Sequence, residues 1–204
     1  MPQSGHNVMA SGSLFRAKLC MVGESGVGKT SLIRRYVLDQ FGDEYLSTLG
    51  TKVTKKRMFY EVAGVGKVDF LMTIWDIMGE RDIVGVIKEA YFNGAGGLMA
   101  VCDLTRGETL ESLAGWIEAA ESVVGKVPVA VAANKLDLIP PNSMLGLSER
   151  LERFATEHGT DELLTSAKTG ENVEMLFRTL GLKIVEEKLK MKIIEDLTET
   201  ISEI

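Results

Sequence analysis

The chain has 204 residues, 45% apolar and 25% charged, with a formal net charge of −6. That length suits one domain with at most a short appendage, the apolar share supports a packed core, and the acidic balance excludes a protein built to coat nucleic acid. Cys20 and Cys102 are the only cysteines and lie in apolar runs, which excludes a disulfide framework or a cysteine-built zinc site.

Residues 1–13 are polar and glycine-bearing and read as a flexible tail without the apolar core of a secretory signal. "LFRAKLCMVG" reads as a strand ending in glycine, and "KTSLIRRYVLDQF" carries Leu32, Ile33, Tyr36 and Val37 at helical spacing. "GDEYLSTLGT" is a polar loop. "KVTKKRMFYEV" and "KVDFLMTIW" are rich in strand formers, and the "AGVG" between them predicts an antiparallel hairpin. "GGLMAVCD" and "VPVAVAAN" are continuous apolar runs, as expected of parallel strands covered on both faces. Helical patterns occupy about 82–93, 108–124, 146–158 and 172 onward. Strands alternating with helices predict a three-layer α/β sheet. No run approaches 18 apolar residues, so no membrane span is expected. The chain neither begins Met-Gly nor ends in a prenylation-type cysteine, so no direct lipid anchor and a cytoplasmic location are expected.

Three segments carry chemistry. "GESGVGKT", Gly23 to Thr30, follows a strand and opens a helix. Glycines let backbone N–H groups curl inward around a phosphate, and the helix start adds positive potential. Lys29 can then reach the β and γ phosphates, and the Thr30 hydroxyl can ligate Mg²⁺. "NKLD", Asn134 to Asp137, follows the apolar strand at its carboxyl end, on the ligand edge of such a sheet. A carboxylate only accepts hydrogen bonds. Guanine offers N1–H and a 2-amino group as adjacent donors and adenine does not, so Asp137 selects guanine. The stem of Lys135 can lie over the base. "TSAKTG", Thr165 to Gly170, again sits between a short strand and a helix. There the Ala167 N–H can meet the guanine oxygen, with Lys168 packing on the other side. A fourth stretch, "WDIMGERD", ends a strand in Asp76, then places Gly79 and Glu80 just beyond.

Together, Gly23–Thr30, Thr48, Asp76–Gly79, Asn134–Asp137 and Ser166–Lys168 resemble the five guanine-nucleotide motifs of Ras superfamily small GTPases, most of all Rab-type members. The likeness runs from about Phe15 to Leu180. It implies a P-loop G domain: a six-stranded, mostly parallel sheet with one antiparallel strand and helices on both faces. The expected organisation is a tail at 1–13, the G domain at 14–185 and a helical extension at 186–204. The implied activity is a switch that hydrolyses GTP to GDP with Mg²⁺.

The implied nucleotide contacts are Glu24, Ser25, Gly26, Val27, Gly28, Lys29, Thr30 and Ser31 in the phosphate loop and helix start. Phe41, which packs edge-on against guanine, Tyr45, which covers the phosphates, Thr48 and Gly79 follow. Asn134, Lys135, Asp137, Ser166, Ala167 and Lys168 surround the base. Thr30, Thr48 and Asp76 would hold the metal, Asp76 through water. Lys29, Thr48, Gly79 and Glu80 would serve the reaction. The resemblance also implies an activating protein, an exchange factor and effectors, meeting the chain at residues 42–51 and 77–91.

The departures bear on hydrolysis. Glu80 stands where the family places the glutamine that orients attacking water, and Ile77 and Met78 are bulkier than their family counterparts. The basic stretch Lys52 to Arg57 reads as an edge strand kept soluble by lysines. Only their positions recommend Arg57, Arg81 or Arg106 as catalytic arginines. His158, before Gly159, is expected to cap a helix end. The last helix, with Ile194, Leu197, Ile201 and Ile204 at 3-4-3 spacing, is expected to lie along the domain, the alternative being a helix that docks a partner or self-associates.

Overall fold

The computed structural model describes residues 14–39, 51–77 and 89–202. Phe41, Tyr45, Thr48, Gly79, Glu80, Arg81 and most of the two partner-facing segments lie outside them. The elements, in order, are β1 (Leu14–Val22), α1 (Lys29–Leu38), β2 (Thr51–Val62) and β3 (Gly66–Ile77). They continue with β4 (Ala95–Asp103), α2 (Glu108–Glu111), α3 (Leu113–Val124) and β5 (Val129–Asn134). The chain closes with α4 (Met144–His158), β6 (Asp161–Leu164) and α5 (Val173–Ser202).

The six strands form one sheet in the order β2-β3-β1-β4-β5-β6. Only the β2–β3 hairpin is antiparallel, and the other pairs run parallel. This is the predicted three-layer α/β arrangement. Strand periodicity divides the core in two. Leu19 and Met21 face one side with Phe70, Met72 and Ile74, under α1 and α5 through Leu32, Phe177, Leu180 and Ile184. Cys20 and Val22 face the other side with Leu98, Ala100 and Val131, under α3 and α4 through Trp116, Ile117 and Phe154. Because residues i and i+1 of a strand point to opposite faces, a continuous apolar run serves both layers. Burial pushes the thiols of Cys20 and Cys102 up to about 12, so both stay protonated.

β1 lies between β3 and β4: the chain first builds the β3 side through β2 and then crosses to β4 on the other. Sheets of this kind bind ligands outside the carboxyl ends of their strands, where the order reverses. Val22, Asp76, Asp103, Asn134 and Leu164 all lie at or next to those ends.

Three local differences from the sequence expectations have physical causes. The helix expected over 108–124 is divided at Ser112, whose hydroxyl donates to the Thr109 carbonyl at 3.0 Å and tightens the turn. His158 ends α4, but the cap is the backbone of left-handed Gly159, whose N–H donates to Ala155; the His158 ring packs on Phe154 instead. The last helix does not lie along the domain throughout. It runs unbroken past residue 186, and Leu189 is the last buried residue among the described ones. Met191, Ile193, Ile194 and Leu197 are exposed. A helix of 30 residues is about 45 Å long, whereas a nine-residue strand spans about 30 Å, so the helix outlasts the sheet it covers. β2 is one of the sheet's two edge strands, as its lysines suggested. Arg57 does not serve the nucleotide edge: its guanidinium is held by Asp69 on β3.

One helical glycine is required by packing. A Cβ on Gly181 of α5 would stand 2.2 Å from the Tyr60 hydroxyl, at the end of a rigid ring that donates to the Arg178 carbonyl. Alanine is the better helix former by about 1 kcal/mol. Overpacking a filled core costs about 1–3 kcal/mol. Gly181→Ala should therefore lower the free energy of unfolding by about 1 kcal/mol on balance, read from the urea midpoint at constant slope. A variant as stable as the wild type would show that the Tyr60 ring yields freely.

Candidate functional site

The loop Gly23–Gly28 connects β1 to α1 at the sheet's carboxyl edge. Gly23, Gly26 and Gly28 all have positive φ, which turns successive N–H groups inward. Gly28, with φ 104°, is the N-cap of α1, and no side chain caps that end. A Cβ there would stand 2.2 Å from Asn134 Nδ2, so loop and base-side residues meet too closely for any other residue.

Lys29 is buried at 7% exposure. Its ammonium donates to the carbonyls of Gly23 at 2.7 Å and Glu24 at 3.0 Å, which strings it across the loop. Burial pushes its pKa down to about 8, against the opposing pull of Asp76 and Glu24. An anionic phosphate in the loop would add an opposite charge and favour the ammonium. Val27 is buried in the core beneath the loop, and Ser31 lies on the first turn of α1.

Asp76, near the end of β3, is 1% exposed and accepts from the Thr30 hydroxyl at 2.5 Å through Oδ2. Its Oδ1 is buried with no hydrogen-bond partner among the described residues. Burial raises its pKa, despite the bond from Thr30 and the charges of Lys29, Lys52 and Arg34. A buried carboxylate oxygen without a donor is costly. A cation or its bound water at that oxygen would remove the cost. A hydroxyl and one carboxylate, completed by phosphate oxygens and water, is the donor set Mg²⁺ takes. Thr30 and Asp76 therefore fit the metal, while Thr48 lies outside the described residues.

On the other side of the loop, Asn134 ends β5 and is 2% exposed. Its Nδ2 donates to the Val27 carbonyl at 2.9 Å, and its Oδ1 accepts from the Ala167 N–H at 3.1 Å. Lys135, held at φ 71°, donates to Asp103 Oδ2 at 2.6 Å. Asp137 lies exposed in a short turn, Leu136–Leu138, and its Oδ1 accepts from the Ser166 hydroxyl at 2.6 Å. That bond leaves acceptor capacity on the carboxylate and fixes its direction. Lys168 is exposed, with its carbonyl held by Arg35 Nη2 at 2.5 Å. The loop Gly23–Gly28, the Thr30 and Asp76 pair and the two loops at Asn134 to Asp137 and Thr165 to Gly170 thus share one edge.

Two contributors, Arg35 and Asp103, went unnoticed in the sequence reading, and a third, Arg106, was considered there only as a catalytic arginine. Arg35 on α1 also donates from Nε to the Ala167 carbonyl at 2.9 Å, so the helix that opens after the glycine-rich loop steadies the loop at Ala167. No local pattern signals it. Asp103 and Arg106 form the second group. Asp103 ends an apolar strand as Asp76 nearly does, and that shared pattern was its available signal. The Arg106 guanidinium is taken up by Asp103 and by the Ser25 carbonyl.

The model of the Ras family matches residues 18–186. Ras-related protein Rab-13 of Mesocricetus auratus is 32% identical over 169 residues, covering 82% of this chain and 79% of its own. Human Ras-related protein Rab-8B is 34% identical over 169 residues, covering 82% and 78%. Human Ras-related protein Rab-4B is 33% identical over 164 residues, covering 80% and 73%. Among the described residues, no helix is long and apolar enough to cross a membrane.

From its place in the sequence, Asp137 is expected to carry a base preference. An Asp137→Asn variant should bind GDP at least 100-fold more weakly, because two donors on guanine would meet an amide able to accept only through its oxygen. It should gain affinity for xanthosine diphosphate, whose 2-oxo group accepts where guanine donates. Competition against a fluorescent diphosphate measures both, and an unchanged order of affinities would remove Asp137 from the base contact.

Proposed function

The chain belongs to the Ras family of small GTPases, and on that premise we propose a GTP-binding switch that hydrolyses GTP slowly by itself and faster with a partner. The observation that carries nucleotide binding is the Asn134 amide. It joins the phosphate loop, through Val27, to the base loop, through Ala167. Such a bridge suits a ligand with a base at one end and phosphates at the other.

In this reading Glu24 to Ser31 cradle the phosphates and Lys29 spans them. Thr30, Thr48 and Asp76 hold Mg²⁺, which when bound neutralises charge on the phosphate oxygens. Phe41 and Tyr45 border the nucleotide, while Asn134, Lys135, Asp137, Ser166, Ala167 and Lys168 hold the base. Gly79 senses the γ-phosphate, so residues 42–51 and 77–91 change with it and present the surface for effectors, an exchange factor and an activating protein. Residues 14–185 carry the site. Residues 186–204 form a helical extension that can meet a partner, and the chain works in the cytoplasm.

Glu80 sets the rate. Phosphoryl transfer needs an in-line water and stabilisation of charge on the γ-phosphate. A glutamine amide can accept from the water and donate to a phosphoryl oxygen, whereas an ionised glutamate only accepts. It also brings negative charge toward an anionic phosphate, which is unfavourable in a partly desolvated site. A cation would relieve that repulsion. An arginine supplied by an activating partner could raise the rate by a factor on the order of 10³ or more. Glu80 is also the residue that favours the second reading, a GTP-loaded scaffold with little or no hydrolysis.

Single-turnover hydrolysis of bound GTP tests the mechanism. Glu80→Gln should raise the intrinsic rate about tenfold. A slower glutamine variant would make Glu80 a working catalytic group. If neither protein hydrolyses GTP over days, the scaffold reading holds.

A further inference from the structure

We propose that Arg106 is a positioning residue for bound nucleotide, a clasp tying the Ser25 carbonyl of the phosphate loop to the Asp103 carboxylate that also holds Lys135. The proposal rests on the nucleotide-site reading above and adds to it what governs release.

Asp103 ends β4 with its side chain 1% exposed, and its carboxylate is fully engaged. Oδ1 accepts from the Thr105 N–H at 3.0 Å and the Thr105 hydroxyl at 2.6 Å. Oδ2 accepts from Arg106 Nε at 3.0 Å and Lys135 Nζ at 2.6 Å. The backbone is pinned too: the Asp103 N–H donates to Thr109 Oγ1 at 2.9 Å, and the Arg106 N–H donates to the Asp103 carbonyl at 2.8 Å. Burial opposes the charge on Asp103, yet the bonds from Lys135, Thr105 and Arg106 together hold its carboxyl below the usual carboxylate range. It is therefore a fixed anion, unable to turn without giving up a donor.

Arg106 uses its fork on two targets. While Nε is on Asp103, Nη2 donates to the Ser25 carbonyl at 3.0 Å, a bond across 81 positions of sequence. Ser25 lies in the stretch where Gly23, Gly26 and Gly28 leave the backbone its greatest freedom. Fixing that carbonyl lowers the ordering cost of closing the loop on phosphates. The same anion fixes Lys135, the residue beside the base. One buried carboxylate thus holds both ends of the ligand's binding surface. Lysine could not replace Arg106, since a compact ammonium lacks the planar fork that spans two acceptors.

Release of N-methylanthraniloyl-GDP from the Mg²⁺-loaded full chain, chased with excess GDP, tests this. Arg106 is 40% exposed, so its variants should fold. Arg106→Ala should release the probe about tenfold faster than wild type, the loss expected for a charge-assisted bond that is partly open to solvent. Arg106→Lys should lie nearer to alanine than to wild type. Arg150→Gln, which removes only the exposed pair of Arg150 with Glu111, should release at the wild-type rate. Arg106→Ala within twofold of wild type would overturn the clasp. So would full rescue by lysine, or equal acceleration by Arg150→Gln. A wild type that takes up no probe would instead sink the nucleotide reading, and the clasp with it.

Discussion

A single buried amide holds the site together. Asn134 donates to a phosphate-loop carbonyl and accepts from a base-loop N–H, so two loops separated by more than a hundred residues take one geometry. Both bonds are buried, and losing either partner would strand a polar group away from water at a cost of about 1–3 kcal/mol. The requirement reaches into neighbouring sequence. Residue 28 must be glycine because a Cβ would occupy the amide's place. Ala167 must present its N–H, and Arg35 holds that residue's carbonyl from behind.

The sheet makes this bridge possible. Parallel pairing of β3, β1, β4, β5 and β6 brings their carboxyl ends to one edge. Each end then delivers a different group: the glycine-rich loop after Val22, a carboxylate at Asp76, an anchoring carboxylate at Asp103, the amide at Asn134 and the loop Thr165 to Gly170 after Leu164. The two strand-end aspartates illustrate how surroundings decide a role. Asp103 is satisfied by hydroxyl, amide and two cations, and is held charged. Among the described residues Asp76 has one hydroxyl donor and an oxygen without a donor, a place where the positive charge of Mg²⁺ would fit.

Much of this was legible in the sequence. Phosphate binding by backbone groups needs contiguous residues, so Gly23 to Thr30 stand out as a word. The same holds for Asn134 to Asp137 and for Thr165 to Gly170. Strands buried on both faces must be apolar throughout, which exposed β4 and β5. What escaped was tertiary. Arg35 meets the Ala167 carbonyl across 132 positions, and nothing near Arg35 distinguishes it from a solvated helix arginine. Arg106 was visible only as a possible catalytic arginine, because its partners, Ser25 and Asp103, are brought to it by the fold. The overhang of α5 escaped because helical spacing at Ile194 and Leu197 says which face is apolar, not whether a sheet extends beneath it.

Guanine recognition by this edge is most directly measured by displacing labelled GDP from the Mg²⁺-loaded wild type with GTP or with ATP. A carboxylate at Asp137, aimed by Ser166 and desolvated by a bound base, would meet two donors on guanine and none in that place on adenine. GTP should therefore compete at concentrations lower than ATP by a factor of about 10³ or more. Equal competition by the two nucleotides would contradict it.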